Sequence, residues 1–494
     1  MKHRVYVFLS MFLVALVAAS ACYGETIAVQ DENRSLRSFN IVPELVRAIK
    51  YDQFTGYNIA PSDDYFGDDA NTTAEEKVRR WKELGFNTVY LIAYTRHSLA
   101  CFPASGSKLT YDAEIFGQDF LRELTDECEK QGMCLFAGTW MFRDDWAWEQ
   151  HPEWRQKMSS QNDASEGLMC PFSPYLEEYF YPVFEELYDK YGIANFFLQE
   201  MWFNWDGMGR SSSFSSYSVD AFNDYTGGDW SIERIKDLEY AIANDKTVRD
   251  QWYQMHFDKE VEIIDRLKAI GNGTIAWHNM REAEWPYVMA APERLENVFI
   301  NSMTLYPEIQ IWDAKSTGDF DPFLMYKWTR KFTDAIDGFR SVLEYYNFVG
   351  YGGVARNPEP QEYINIYLAG RAGGIEELVV ERDSPKNNLI IDWEAIAESY
   401  RVYDPLFEDA EFIGASRSAV WADGKASTNG NRRILTSWVK GDTEIIIAGL
   451  STYKKPVDMN LLAEGKTVTD EAGNIIEERS FTLQSGEMRV FIVK

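Results

Sequence analysis

The stretch FFLQEMWFNWDG, residues 196–207, decides the fold. It opens as a continuous apolar run, turns polar at Gln199-Glu200, and then presents a cluster of indoles. A short apolar run without alternation reads as a strand buried on both faces. A carboxylate at the end of such a strand must be desolvated, paired or put to use. The run follows YLEEYFYPVFEELYDKYG (175–192), whose apolar residues recur at helical spacing and whose last residue is glycine, a helix stop.

Working outward, the same unit recurs. Strands are expected at LVRAIKYD (45–52), FNTVYLIAY (86–94), MCLFAGTW (133–140), IANFFLQE (193–200), GTIAWHN (273–279), NVFINSMTLY (297–306), GFRSVLEYY (338–346) and EELVVER (376–382). Helical periodicity falls between them, as in AEEKVRRWKELG (74–85), FDKEVEIIDRLKAIG (257–271) and residues 360–370. Alternating helices and doubly buried strands call for a parallel sheet covered by helices. Eight such units predict an α/β fold, a (β/α)8 TIM barrel over residues 25–410, with a doubly wound sheet as the alternative. After DWEAIAESYRVYDPLF the texture changes to short β-like runs, including ILTSWVKG, TEIIIAGLS and MRVFIVK. They predict a small C-terminal antiparallel β-sandwich over 411–494 with an accessory role.

The N-terminus reads as an export signal. Lys2 and Arg4 precede the apolar stretch VYVFLSMFLVALVAASA, and Ala19-Ser20-Ala21 supplies a cleavage site, so residues 1–21 are expected to be removed. Cys22 directly after that triplet also allows a lipid anchor, and the expected location is periplasmic or extracellular. No other stretch is long and apolar enough to span a membrane. The chain carries a net charge of −29, which leaves nucleic acid and anionic membranes as poor partners. A neutral partner fits better, and 16 Trp, 28 Tyr and 30 Phe offer flat faces for the C–H faces of sugars, although most belong to the core. Cys101, Cys128, Cys134 and Cys170 permit disulfides in an exported chain. Their spacing, together with only His97, His151, His256 and His278 beyond the leader, fits no metal site, and no cofactor is expected.

In a barrel of this kind the active site lies at the C-terminal ends of the strands. Strand four is expected to end in Glu200 and strand seven in Glu344. Two carboxylates at strand tips suit a retaining glycosidase, one as nucleophile and one as acid and then base, about 5–5.5 Å apart. Like charges so close raise one pKa and keep a proton available. Asp206, just past strand four, is the alternative acid for an inverting or substrate-assisted enzyme. Asp52 is expected to end strand one. Arg96 and His97 follow strand two, and the Arg96 guanidinium suits the orientation of a carboxylate. Trp140, Trp202, Trp205, Trp277 and Trp285 fall at or after strand tips, where aromatic rings form sugar subsites. FRDDWAWEQHPEW (142–154) mixes acids and indoles in the same position. A non-catalytic carbohydrate-binding barrel would keep these aromatics without needing both glutamates.

These tips resemble clan A of the glycoside hydrolases. Ser215-Ser216-Tyr217, AFNDYTGGDWSIERIKDLEYA (221–241) and VRDQWYQMHFDKEVEIIDRLKAI (248–270) resemble the insertion after strand four in glycoside hydrolase family 42, the β-galactosidases. That resemblance implies a retaining β-glycosidase, with Glu200 as acid/base and Glu344 as nucleophile. It implies Tyr306 as the tyrosine that hydrogen-bonds the nucleophile, and His278 at a position where many members carry histidine. Gln199 stands where the clan has asparagine on the sugar 2-hydroxyl. The substrate implied is a β-galactoside, with a β-glucan as the neighbouring choice.

Overall fold

The computed structural model describes residues 37–41, 73–94, 98–105, 108–111, 113, 118–164, 167–199, 201, 213–278, 285–295, 298–303, 321–335, 341–346, 359–375, 377–381, 393–425 and 431–494. Eight strands pair in parallel in chain order: β1 (Arg37–Ile41), β2 (Thr88–Ile92), β3 (Cys134–Trp140), β4 (Phe196–Gln199), β5 (Ile275–His278), β6 (Val298–Met303), β7 (Ser341–Tyr346) and β8 (Glu377–Glu381). β8 pairs back onto β1, so the ring closes as a barrel.

The first strand corrects the expectation. It is RSFNI at 37–41, not LVRAIKYD at 45–52, which lies outside the described residues. The strand at the first position ends at Ile41, so Asp52 does not end it.

Helices follow every strand, as parallel pairing requires. α1 (Ala74–Glu83) follows β1 and α2 (Phe120–Gln131) follows β2. α3 (Asp145–Gln150) and α4 (Tyr181–Tyr191) follow β3, while α5 (Ser216–Thr226), α6 (Ile235–Asn244) and α7 (Lys246–Gly271) follow β4. α8 (Trp285–Ala290), α9 (Pro322–Ala335), α10 (Pro360–Ala372) and α11 (Trp393–Phe407) follow β5 to β8. Local chemistry sets these boundaries. Thr73 and Glu76 form a capping box on α1, the Thr73 hydroxyl accepting from Glu76 N at 3.2 Å. α2 and α4 stop where Gly132 and Gly192 take left-handed backbone, at φ 68° and 71°.

Strand parity divides the core. Val89, Leu91, Leu135, Phe196, Leu198 and Trp277 pack outward in one cluster with helix residues such as Trp81, Leu124, Leu187 and Ile264. The opposite parity fills the barrel. There the Tyr90 ring stacks on Phe136 at 4.7 Å and meets Phe197 edge-on at 5.7 Å. Gly138 lies in register with Phe197, and a Cβ at Gly138 would come within 2.0 Å of the Phe197 carbonyl oxygen.

The C-terminal region builds two antiparallel sheets. β9 (Glu411–Ala415), β11 (Arg433–Lys440), β12 (Thr443–Leu450), β16 (Met488–Val493) and β14 (Val468–Thr469) form the larger, in that order. β10 (Ala419–Trp421), β13 (Val457–Leu461) and β15 (Ser480–Leu483) form the smaller. Trp421, Met459 and Leu483 from the smaller sheet share one core with Leu435, Ile446 and Phe491 from the larger. The other side of the larger sheet, with Ile434, Trp438 and Ile447, joins the core of the barrel shell. Polar contacts pin this junction. Trp438 Nε1 donates to Arg371 O at 2.8 Å, and Ser451 Oγ donates to Asp321 at 2.8 Å.

Cys101, Cys128, Cys134 and Cys170 are not joined in disulfides. Among the described residues no helix is long and apolar enough to cross a membrane.

Candidate active site

The register of the strands defines the C-terminal rim of the barrel. Trp140 pairs with Gln199 and Gln199 with His278, so three of the expected sugar-binding residues occupy one register row across β3, β4 and β5. β4 is described as far as Gln199, and Glu200 lies outside the described residues.

On the far side of the ring Glu344 pairs with Met303, the last residue of β6, and with Val379. It therefore stands level with the end of β6, while β7 itself runs on to Tyr346, two residues beyond the expected tip. Val379 in turn pairs with Ser38 of β1. β6 is described as far as Met303, and Tyr306, Arg96, His97, Asp52, Trp202, Trp205 and Asp206 lie outside the described residues.

Trp277 is a correction. It is fully buried, pairs with Leu198 and Ile300, and belongs to the cluster between strands and helices. A ring buried under the helix shell touches no substrate. Period-two alternation puts Trp277 outside the barrel wall for the same reason that it puts Ala276 on the inner parity. Trp285 is the first residue of α8.

The loop after β3 holds a buried acid that the sequence did not single out. Asp144 is wholly enclosed and caps α3, its Oδ1 accepting from Ala147 N at 2.6 Å. Burial pushes its carboxyl up to about 6, and the charge of Asp145 adds to this. The hydrogen bond from Ala147 N opposes the rise. Tyr94, Tyr175 and Tyr179 surround the group, and burial, with the Asp144 charge, drives their phenols well above the ordinary range. Trp146 stacks on Tyr179 at 5.6 Å, and Lys108 Nζ sits 4.7 Å above the Trp146 ring. Tyr179 lies in a π-helical turn, Leu176–Phe180, that leads into α4. Asp144 cannot meet a substrate directly; it seats the β3 loop at the rim. The signal for it was FRDDWAWEQHPEW, where an aspartate precedes a short helical run, but its tyrosine partners are distant in sequence.

With this geometry the chain can be compared with known proteins. No protein-family model matches the sequence, and no curated protein matches it. Among solved structures it resembles an Anoxybacillus α-amylase, with a TM-score of 0.54 and 11% identity over 93% of this chain and 97% of that one. It also resembles the α-amylase of Geobacillus thermoleovorans, with a TM-score of 0.50 and 11% identity over 93% of this chain and 98% of that one. The likeness is one of fold. It extends over nearly the whole of each chain, so barrel and C-terminal sheets are shared together.

Proposed function

We propose that the protein is an exported glycoside hydrolase that cleaves β-linked glycosides by double displacement. Glu344 attacks the anomeric carbon while Glu200 protonates the departing oxygen. Glu200 then takes the proton of the water that releases the sugar with retained configuration. Gln199, His278, Tyr306 and Arg96 would hold the sugar hydroxyls and orient Glu344, with Trp140, Trp202 and Trp205 as aromatic subsites. The two C-terminal sheets would act as an accessory sandwich.

The observation that supports this reading best is the register. β4 is described as far as Gln199, the residue before Glu200, and Glu344 lies within β7 in register with Met303 of β6 and Val379 of β8. A carboxylate on a rigid strand keeps its position without loop entropy, which is what a pair separated by about 5–5.5 Å needs. The clan A and family 42 resemblance of the strand tips and of residues 215–270 supports the β-linkage.

A second substrate class has its own support. Two structures of similar fold are α-amylases, so α-linked glucans stand as the alternative to β-galactosides and β-glucans. The fold alone does not choose between them. The test is hydrolysis of aryl α- and β-glycosides and of α- and β-linked oligosaccharides by purified protein, following the anomer first released by NMR. A β-linked substrate giving a β-product supports the proposal. An α-product from a β-linked substrate would replace it with an inverting enzyme using Asp206. Binding without turnover by the intact protein would replace it with a carbohydrate-binding barrel.

A further inference from the structure

Loops after β3 and β4 leave neighbouring strand ends, and in this chain they are joined by a buried polar cluster. Cys170, on the β3 loop, is fully buried. Ser215 Oγ donates to its sulfur at 3.0 Å, and Ser218 Oγ lies 3.3 Å from it. Ser218 Oγ is also 3.0 Å from Ser213 Oγ and 3.2 Å from Ser215 Oγ. All three serines are buried, and Ser215 caps α5 by accepting from Ser218 N. Burial raises the thiol above its ordinary value, so it is a neutral hydrogen-bonding group and not a nucleophile.

Further ties run in parallel. Phe214 N donates to Lys157 O at 2.8 Å, Gln161 Nε2 donates to Phe214 O at 3.0 Å, and Lys236 Nζ donates to Ser159 Oγ at 2.7 Å. Phe172 of the β3 loop packs against a separate small core made by Phe214, Phe222, Leu238 and Trp252. An apolar contact alone tolerates sliding, whereas a buried set of mutually satisfied donors and acceptors fixes one register. Here that register is between one loop at the rim and the helices of the next.

We propose that Cys170, Ser213, Ser215 and Ser218 are positioning residues that make the β3 loop and the α5–α7 insertion a single body at the mouth of the barrel, and that this body sets recognition of sugars beyond the one being cleaved. The second half rests on the glycosidase reading; the first does not. The two halves are separable by experiment.

Amide hydrogen exchange is measured by mass spectrometry on the intact protein, its Cys170→Val, Ser218→Ala and Gln161→Ala variants, and Cys170→Ser as the conservative control. Losing a buried hydrogen bond on α5 should speed exchange about tenfold in the β3-loop peptide 155–164, across the cluster from the substitution, and Cys170→Ser should restore protection. Gln161 is only partly buried, so its variant folds even where Cys170→Val does not. Unchanged exchange in peptide 155–164 for Ser218→Ala, together with unchanged exchange in the α5 peptide 214–226 for Gln161→Ala, overturns the single-body proposal. In parallel, the variants should raise KM for a β-linked tetrasaccharide while leaving kcat and KM for the matching aryl monoglycoside unchanged. Equal losses on both substrates overturn the recognition role. A wild-type protein inactive on both overturns the glycosidase reading, and the exchange data then decide the loop coupling on their own.

Discussion

Replacing Asp144 with asparagine should stabilise the protein at neutral pH. The side chain is wholly buried, and its carboxyl is pushed from an ordinary value near 3.8 up to about 6, chiefly by burial. A raised carboxyl pKa means that the folded protein holds the proton more tightly than the unfolded chain. The contribution to stability is therefore full below the unfolded value and is lost as pH climbs from about 4 through about 6. A difference of roughly two pKa units is worth at most about 3 kcal/mol of destabilisation once the group is ionised. Asparagine is as good an N-cap for α3 as aspartate. Its amide oxygen can still accept from Ala147 N, and it carries no charge. The Asp144→Asn variant should match wild type near pH 4 and exceed it by up to about 3 kcal/mol near pH 7.5. Urea unfolding followed by tryptophan fluorescence between these limits reads the difference directly, with equal m-values required for the comparison. A variant less stable than wild type at every pH, by a constant amount, would refute the reasoning and show the ionised carboxylate to be stabilised by its tyrosine neighbours.

Three other outcomes follow from the packing. Asp404→Ala removes the carboxylate that meets the nearly enclosed Arg371 guanidinium at 2.8 Å and so takes the counter-charge from a buried cation; urea unfolding should show a loss of about 3–5 kcal/mol. Gly138→Ala would drive a Cβ to 2.0 Å from the Phe197 carbonyl oxygen inside the barrel, and circular dichroism together with soluble yield should show that the chain no longer folds. Thr73→Ala breaks the capping box of α1 and should cost about 1 kcal/mol in the same urea assay.

Much of the barrel was legible because its signals are local. The Thr73-x-x-Glu76 box and the glycines at 132 and 192 mark helix ends through contacts within a few residues. β1 was not, because RSFNI spends two of its five positions on arginine and asparagine, while the apolar LVRAIKYD nearby has the more strand-like composition. Parity was hidden for a related reason. A strand buried on both faces shows no alternation, so nothing in IAWH distinguishes Trp277, under the helices, from Ala276, on the inner parity. Glu344 was placed on the right strand but at its tip, since SVLEYY continues apolar and aromatic for two residues past it. Asp144 and Cys170 were not legible at all. Their partners, Tyr94, Ser98 and Tyr179 for one and Ser213, Ser215 and Ser218 for the other, lie tens of residues away and meet them only once the barrel has brought neighbouring loops together.

The measurement that bears most directly on the central claim is the activity of Glu344→Ala on an activated aryl β-glycoside, with and without azide. With the carboxylate removed, the account expects turnover to collapse and azide to restore it by occupying the vacated position, giving a glycosyl azide of inverted configuration. Undiminished activity of Glu344→Ala without azide would contradict the account and take Glu344 out of the active site.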